Sequence, residues 1–256
     1  MIDYRRFIED NFDIVNKKLE LVPFKLNPIQ FRYIEKDMTG QDIVLKARQE
    51  GFSSLIDAKI TTDFILQEHS YGVIVADIDE NAEILLSKVK TYIASYEARN
   101  KIKLPMKYET RTMLYNSFMD SRLTIGSAKN TDFGRSRTIS NLHLSEVAFY
   151  PDIARLLAGA GQAVIEGGYT VMETTANGFN EFRQVYSDAK IGKTGYKALF
   201  YKASDFYSKE FLETKRNSLG RLFPQEYPET DIECFLSSGD CYFDTVSLKS
   251  MYDKAQ

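Results

Sequence analysis

From residue 42 onward, short aliphatic and β-branched runs alternate with longer stretches of helical rhythm, and this alternation restricts the fold more than any other feature of the chain. Strands are expected at 42–47, 72–76, 121–127, 141–145, 170–174 and 197–202, and helices at 53–67, 81–99, 153–163 and 180–189. Strand, helix and strand in succession make a βαβ unit, and repeated units build an α/β domain with a mainly parallel sheet flanked by helices. Ahead of this core, Phe7, Ile8, Phe12, Val15 and Leu19 recur at helical spacing and predict one helix, followed by a proline-containing connector over 22–30. Beyond 203 the rhythm shifts to short helical pieces and turns at Pro224 and Pro228, where acidic residues outnumber basic ones, as in a small acidic subdomain.

Composition removes several classes. With 14 Gly, 6 Pro and 43% hydrophobic residues in 256, the chain is neither collagen-like nor disordered. The first ten residues set Arg5 and Arg6 beside Asp3, Glu9 and Asp10, and no apolar run approaches the roughly 20 residues that span a bilayer. Cys234 and Cys241 lack the accompanying histidines of a zinc site and suit a reduced, cytoplasmic protein with structural cysteines. A net charge of −3 argues against a strong autonomous nucleic-acid binder. Segment 101–137 differs: eight basic residues against three acidic make it the best place to meet phosphates.

Three strand ends carry chemistry. In Leu45-Lys46-Ala47-Arg48-Gln49-Glu50-Gly51-Phe52-Ser53-Ser54, a strand turns through small and polar residues into a helix. A phosphate loop needs convergent backbone N–H groups, a cation for the β and γ oxygens and a hydroxyl for Mg²⁺. Gly51 and Ser53 stand where those glycine and hydroxyl positions fall, but Phe52 occupies the lysine position, so Lys46 and Arg48 are left to supply the charge. The same residues also suit a buried strand and a helix capped by Ser53. The second strand, Asn141-Leu142-His143-Leu144-Ser145-Glu146, ends on a carboxylate able to polarise an attacking water. Ser145 replaces the first acid of the usual pair, and His143 is expected to pack or hydrogen-bond within the sheet. The third, Val171-Met172-Glu173-Thr174-Thr175-Ala176-Asn177-Gly178, ends in hydroxyl and amide groups suited to sensing a γ-phosphate or simply to a turn. Taken together, the three ends are expected on one edge of a parallel sheet, where ligands bind.

On these residues the chain resembles the large terminase subunit of tailed bacteriophages, the ATPase of genome packaging. The likeness rests on Leu45 to Ser53, on Leu142 to Phe149 and on Thr174 to Gly178. Asn27-Pro28-Ile29-Gln30 is similar to an upstream adenine-reading motif, and residues 227–236 are similar to the segment after the motor core. The family has Asp where this chain has Ser145, and it continues into a nuclease domain for which 256 residues leave no room, so the motor half alone is implied.

The resemblance implies a RecA-like, ASCE-type P-loop fold with a small C-terminal lid subdomain. Residues 1–40 would form an adaptor helix and adenine-side connector, 41–205 the ATPase core and 206–256 the lid. ATP would be held by Gln30, Lys46, Ala47, Arg48, Gln49, Glu50, Gly51, Phe52, Ser53 and Ser54, and Mg²⁺ by Ser53 and Ser145. Glu146 would orient water, and Thr174, Thr175, Ala176, Asn177 and Gly178 would couple hydrolysis to movement. Arg135, with Arg137 as second choice, would complete the site of a neighbouring subunit. Implied partners are double-stranded DNA, a portal protein, a small terminase subunit and further copies in a ring, the isolated chain being a monomer. The implied setting is the cytoplasm of an infected bacterium, transiently on the procapsid, with no membrane. A helicase-like translocase and a nucleotide-binding scaffold without hydrolysis are the alternatives.

Overall fold

The computed structural model describes residues 2–130 and 137–236, with 251 and 254. Asp3 caps the first helix, α1 (Tyr4–Asn11), by accepting from the Arg6 amide at 2.9 Å. The helix expected through Leu19 stops there, and a hairpin of β1 (Asp13–Val15) and β2 (Leu21–Pro23) follows. Asn16 closes its turn: Oδ1 accepts from the Lys18 and Glu20 amides at 2.8 and 3.0 Å. Such local side-chain bonds compete with helix continuation, and Val15 and Leu19 face solvent. Next, α2 (Pro28–Arg32) starts with a proline where no intrahelical N–H bond is lost.

The core then reads β3 (Gln41–Lys46), α3 (Phe52–Leu66), β4 (Tyr71–Ala76), α4 (Asp79–Asn100), β5 (Met106–Glu109), β6 (Met113–Asn116), β7 (Ser121–Ser127), β8 (Ile139–Ser145), α5 (Ile153–Gly159), β9 (Val164–Thr174), α6 (Glu181–Lys190) and β10 (Lys197–Tyr201). One sheet runs β10-β3-β9-β8-β4-β7-β6-β5. The six strands from β10 to β7 are parallel, and β6 and β5 add an antiparallel margin. All six expected strands are present. β9 starts six residues earlier than expected, and β5 and β6 are additional.

Side chains alternate across each strand, so adjacent residues enter opposite cores. Val44, Ile74, Ile125 and Val171 face α3 and α4, whereas Ile43, Leu45, Val75 and Met172 face α5 and α6. Burial on both faces is why these strands read as continuous aliphatic runs. Helix α3 lies against the sheet under α1 and α4 and is buried nearly all round. After β10 the described residues form α7 (Lys209–Leu219), capped by Ser208, then α8 (Phe223–Glu226) and α9 (Glu233–Leu236). Ala203, Leu212, Phe223 and Tyr227 form a small core around Ala47, which seats this segment on the loop after β3. Among the described residues no helix is long and apolar enough to cross a membrane.

Candidate functional site

Strands β3, β9 and β8 are neighbours and parallel, so the ends at Lys46, Thr174 and Ser145 meet at one edge of the sheet. They open on a cleft of about 610 Å³ whose wall includes Lys46, Gly51, Ser53, Ser145, Glu146 and Thr175.

After Lys46 the chain turns through Gln49 (φ 59°) and Gly51 (φ 82°) into α3. A Cβ on Gly51 would stand 2.7 Å from Gln30 Nε2, so both the backbone angle and the close approach require glycine. Gln30 is buried with both ends of its carboxamide engaged: Nε2 donates to Gly51 O at 2.7 Å, and Oε1 accepts from Asn27 N at 3.0 Å. Asn27 Nδ2 donates to Glu50 O at 2.9 Å, so the segment expected on the adenine side grips the loop from beneath. Phe52 is wholly buried against Tyr33 and Tyr201, at ring-centroid separations of 5.6 and 4.8 Å. The position that carries lysine in an ordinary phosphate loop is therefore a core anchor.

Lys46 is buried, with Nζ 3.0 Å from Glu173 Oε2 and 3.4 Å from Glu146 Oε1. Burial disfavours its charge, but these two carboxylates outweigh that and hold the ammonium well above the usual lysine range. Arg48 points elsewhere: Nη1 pairs with Glu226 Oε2 at 3.0 Å, and its amide donates to Glu226 O at 2.9 Å. Tyr207 OH donates to the carbonyl of Arg48 at 2.7 Å. The loop is thus tied to the C-terminal segment. Glu50 is buried with neither carboxylate oxygen hydrogen-bonded. Burial pushes its carboxyl up to about 9, with Lys46 opposing the rise and Asp205 adding to it.

Glu146 follows β8 in the left-handed conformation (φ 57°, ψ 45°), which costs a non-glycine residue roughly 1–2 kcal/mol. Strain of this kind persists where surrounding bonds over-determine it. Its amide donates to Glu173 O at 2.7 Å, and its Oε2 lies 3.4 Å from the Thr175 amide and 3.3 Å from Thr174 Oγ1. About a third of the carboxylate side chain stays exposed, so water can reach it. Asn177 Nδ2 donates to Ala148 O at 3.2 Å, which joins the end of β9 to the turn bearing Glu146.

Ser53 and Ser145 do not point to each other but to a third residue. Their hydroxyls donate to Glu173 Oε1 at 2.7 and 2.6 Å. His143 is buried between Asp57 Oδ1, 2.9 Å from Nδ1, and Glu173 Oε1, 3.3 Å from Nε2. Burial opposes an imidazolium there, yet the two carboxylates raise its pKa to about 9. Burial likewise opposes the Glu173 anion, and Lys46 and His143 hold its carboxyl well below the usual range. Glu173 and Asp57 are the site residues that motif reading passes over. Their signal is a carboxylate inside an apolar run, since a buried charge must be paired.

Among the described residues no group of three or more His, Cys, Asp or Glu side chains could hold a metal by itself. The hydroxyl and carboxylate oxygens here nevertheless suit Mg²⁺, which takes hard oxygen donors and is usually held by one or two carboxylates together with substrate phosphates. Arg135 and Cys241 lie outside the described residues. Arg137 stands at the opposite end of the sheet, donating to Thr124 Oγ1 at 3.0 Å and to Tyr71 OH. Cys234 is buried, with Sγ donating to Asp231 O at 3.3 Å.

No family model matches the chain, and no curated protein matches it in sequence. Solved structures do. The large terminase ATPase domain of Thermus phage P74-26 superposes with a TM-score of 0.64 at 18% identity, over 80% of this chain and 93% of that one. The HK97 bacteriophage large terminase gives 0.64 at 16% identity, over 91% of this chain and 50% of that one. The large terminase of a thermophilic bacteriophage, in complex with ATP-gamma-S, gives 0.60 at 12% identity, over 79% and 52%. The chain spans about half the length of these last two proteins. Its mainly parallel sheet and flanking helices give this chain the RecA-like fold of the phage large terminase ATPase domains.

Proposed function

We propose that the chain is the ATP-hydrolysing motor domain of a genome-packaging terminase, driving double-stranded DNA into a viral procapsid. The observation that carries this reading is the pairing of Lys46 with Glu146 across a cleft walled by a glycine-turned loop and Ser53. Loop amides at the start of α3 and the Lys46 ammonium bind the phosphates of ATP. Ser53, with the carboxylates beside it, would hold Mg²⁺, which neutralises charge on the β and γ oxygens when bound. Glu146 orients the attacking water and accepts its proton as the γ-phosphoryl group passes to that water and ADP leaves. Thr175 and Asn177 contact Glu146 and its turn, so they sense the change and pass it to the end of β9.

Within this reading several copies form a ring, Arg135 of one copy reaches the ATP of the next, and the basic segment 101–137 meets DNA phosphates. A portal protein and a small terminase subunit complete the assembly, in the cytoplasm of the infected host. Phosphate release from Mg·ATP, rising when double-stranded DNA and procapsids are added, is the expected result. Nucleotide binding without phosphate release, with assembly partners present, would favour a scaffold that has lost hydrolysis. Strand separation by the purified chain would favour a helicase.

A further inference from the structure

Ser145 ends β8 without the carboxylate that a magnesium shell uses at that place, and Ser145 is the register partner of Glu173 on β9. Glu173 is wholly buried, and the donors around it converge: Ser145 Oγ at 2.6 Å and Ser53 Oγ at 2.7 Å on Oε1, and Lys46 Nζ at 3.0 Å from Oε2. Behind these, His143 approaches Oε1 at 3.3 Å and is itself backed by Asp57 at 2.9 Å. A buried carboxylate costs several kcal/mol unless it is paired, and sheet packing gives no reason for one here, since Val171 and Met172 before it are ordinary core. The contact that explains it is the one to Ser53, whose hydroxyl is the only side-chain donor that the loop's Gly51-Phe52-Ser53 turn offers a metal.

We propose that Glu173 performs the duty missing at Ser145: from the neighbouring strand, and while itself buried, it orients the Ser53 hydroxyl that would hold Mg²⁺ at the nucleotide. The carboxylate has moved sideways by one strand, and Ser145 has become a donor that helps fix it. His143 and Asp57 hold it from behind, as residues one layer out commonly fix a ligand's orientation. Glu173 is thus a positioning residue. This inference rests on the ATPase reading above and adds to it which carboxylate serves the metal.

The test compares affinity for ATP-gamma-S in EDTA and in Mg²⁺. In the parent chain Mg²⁺ is expected to tighten binding. Glu173→Gln is expected to bind as the parent does in EDTA and to lose roughly tenfold or more of the magnesium-dependent gain, the usual effect of removing a residue that orients a metal ligand. The double variant Ser145→Asp with Glu173→Ser, which returns the carboxylate to β8, is expected to recover most of that gain. If Glu173→Gln does not fold, the double variant decides by itself: a parental gain supports the relocation, and no gain overturns it. Equal losses in EDTA and Mg²⁺ would reduce Glu173 to a structural role, and an undiminished gain in Glu173→Gln would also overturn the proposal. A parent chain that binds ATP-gamma-S under neither condition would instead defeat the ATPase reading itself.

Discussion

Lys46 Nζ stands 3.4 Å from Glu146 Oε1, so the cation at the end of β3 and the acid after β8 neutralise each other across the mouth of one cleft. In the proposed reading both serve phosphoryl transfer, and Lys46 does so from the opening of the loop because Phe52 fills the position where an ordinary phosphate loop carries lysine. Separate tests of the two residues follow.

Lys46→Ala removes the buried cation, which should weaken ATP binding about 10- to 100-fold, the equivalent of one charged hydrogen bond. It should also lower Tm, because Glu173 is left buried with less compensation. Phe52→Ala should do the opposite. Its loss from the core between Tyr33 and Tyr201 should cost about 3–5 kcal/mol of stability, while ATP affinity per folded molecule stays near that of the parent. Calorimetric titration below the lowered Tm separates the two, and an unchanged affinity in Lys46→Ala would remove Lys46 from the phosphate site.

Glu146→Gln keeps the shape of the side chain and removes the proton acceptor. Nucleotide affinity should be retained and phosphate release should fall by on the order of 10² or more. A variant that binds poorly but turns over in proportion to its occupancy would make Glu146 a structural residue.

Glu50 supplies a pH dependence. Its carboxyl titrates near 4.5 in the unfolded chain and is pushed up to about 9 in the fold. Between those values the folded state holds a proton that the unfolded chain has released, so this group's contribution to stability is greatest below about pH 4.5 and declines up to about pH 9. Glu50→Leu should therefore raise Tm more at pH 8.5 than at pH 5.5. A gain of about 1–3 kcal/mol is expected at the higher value, from relieving a buried, unbonded polar group. Equal gains at both pH values would mean that the carboxyl ionises normally.

Arg135 tests assembly. Glu146→Gln copies keep Arg135 but lack the base, and Arg135→Ala copies keep the base but lack the arginine, so each should be nearly inactive alone. Mixed rings would unite an intact Glu146 with an intact Arg135, and activity should return. An arginine supplied by a neighbour can be worth on the order of 10³ in rate. No recovery in mixtures shown to co-assemble would return Arg135 to its own subunit or to DNA.

What the sequence determined by itself was periodicity and the strand ends. The aliphatic runs of β3, β4, β8 and β9 are legible because each strand is buried on both faces, and the loop, Glu146 and Thr174 to Gly178 are legible because they interrupt those runs at their C-terminal ends. Where the chain pairs with itself the pattern misleads: α1 ends at Asn11, and Val15 and Leu19 belong instead to the β1–β2 hairpin whose turn Asn16 closes. The β5–β6 pair was illegible for a different reason: Met106–Glu109 is largely exposed and polar, and it is a strand because β6, itself paired to β7, lies beside it. Only the tertiary structure decided the order β10-β3-β9-β8, and that order sets Glu173 beside Ser145 and beneath Lys46 and Ser53. A sequence shows that a charge lies in an apolar strand, but which charges neutralise it depends on which strands become neighbours, and that is a property of the folded sheet.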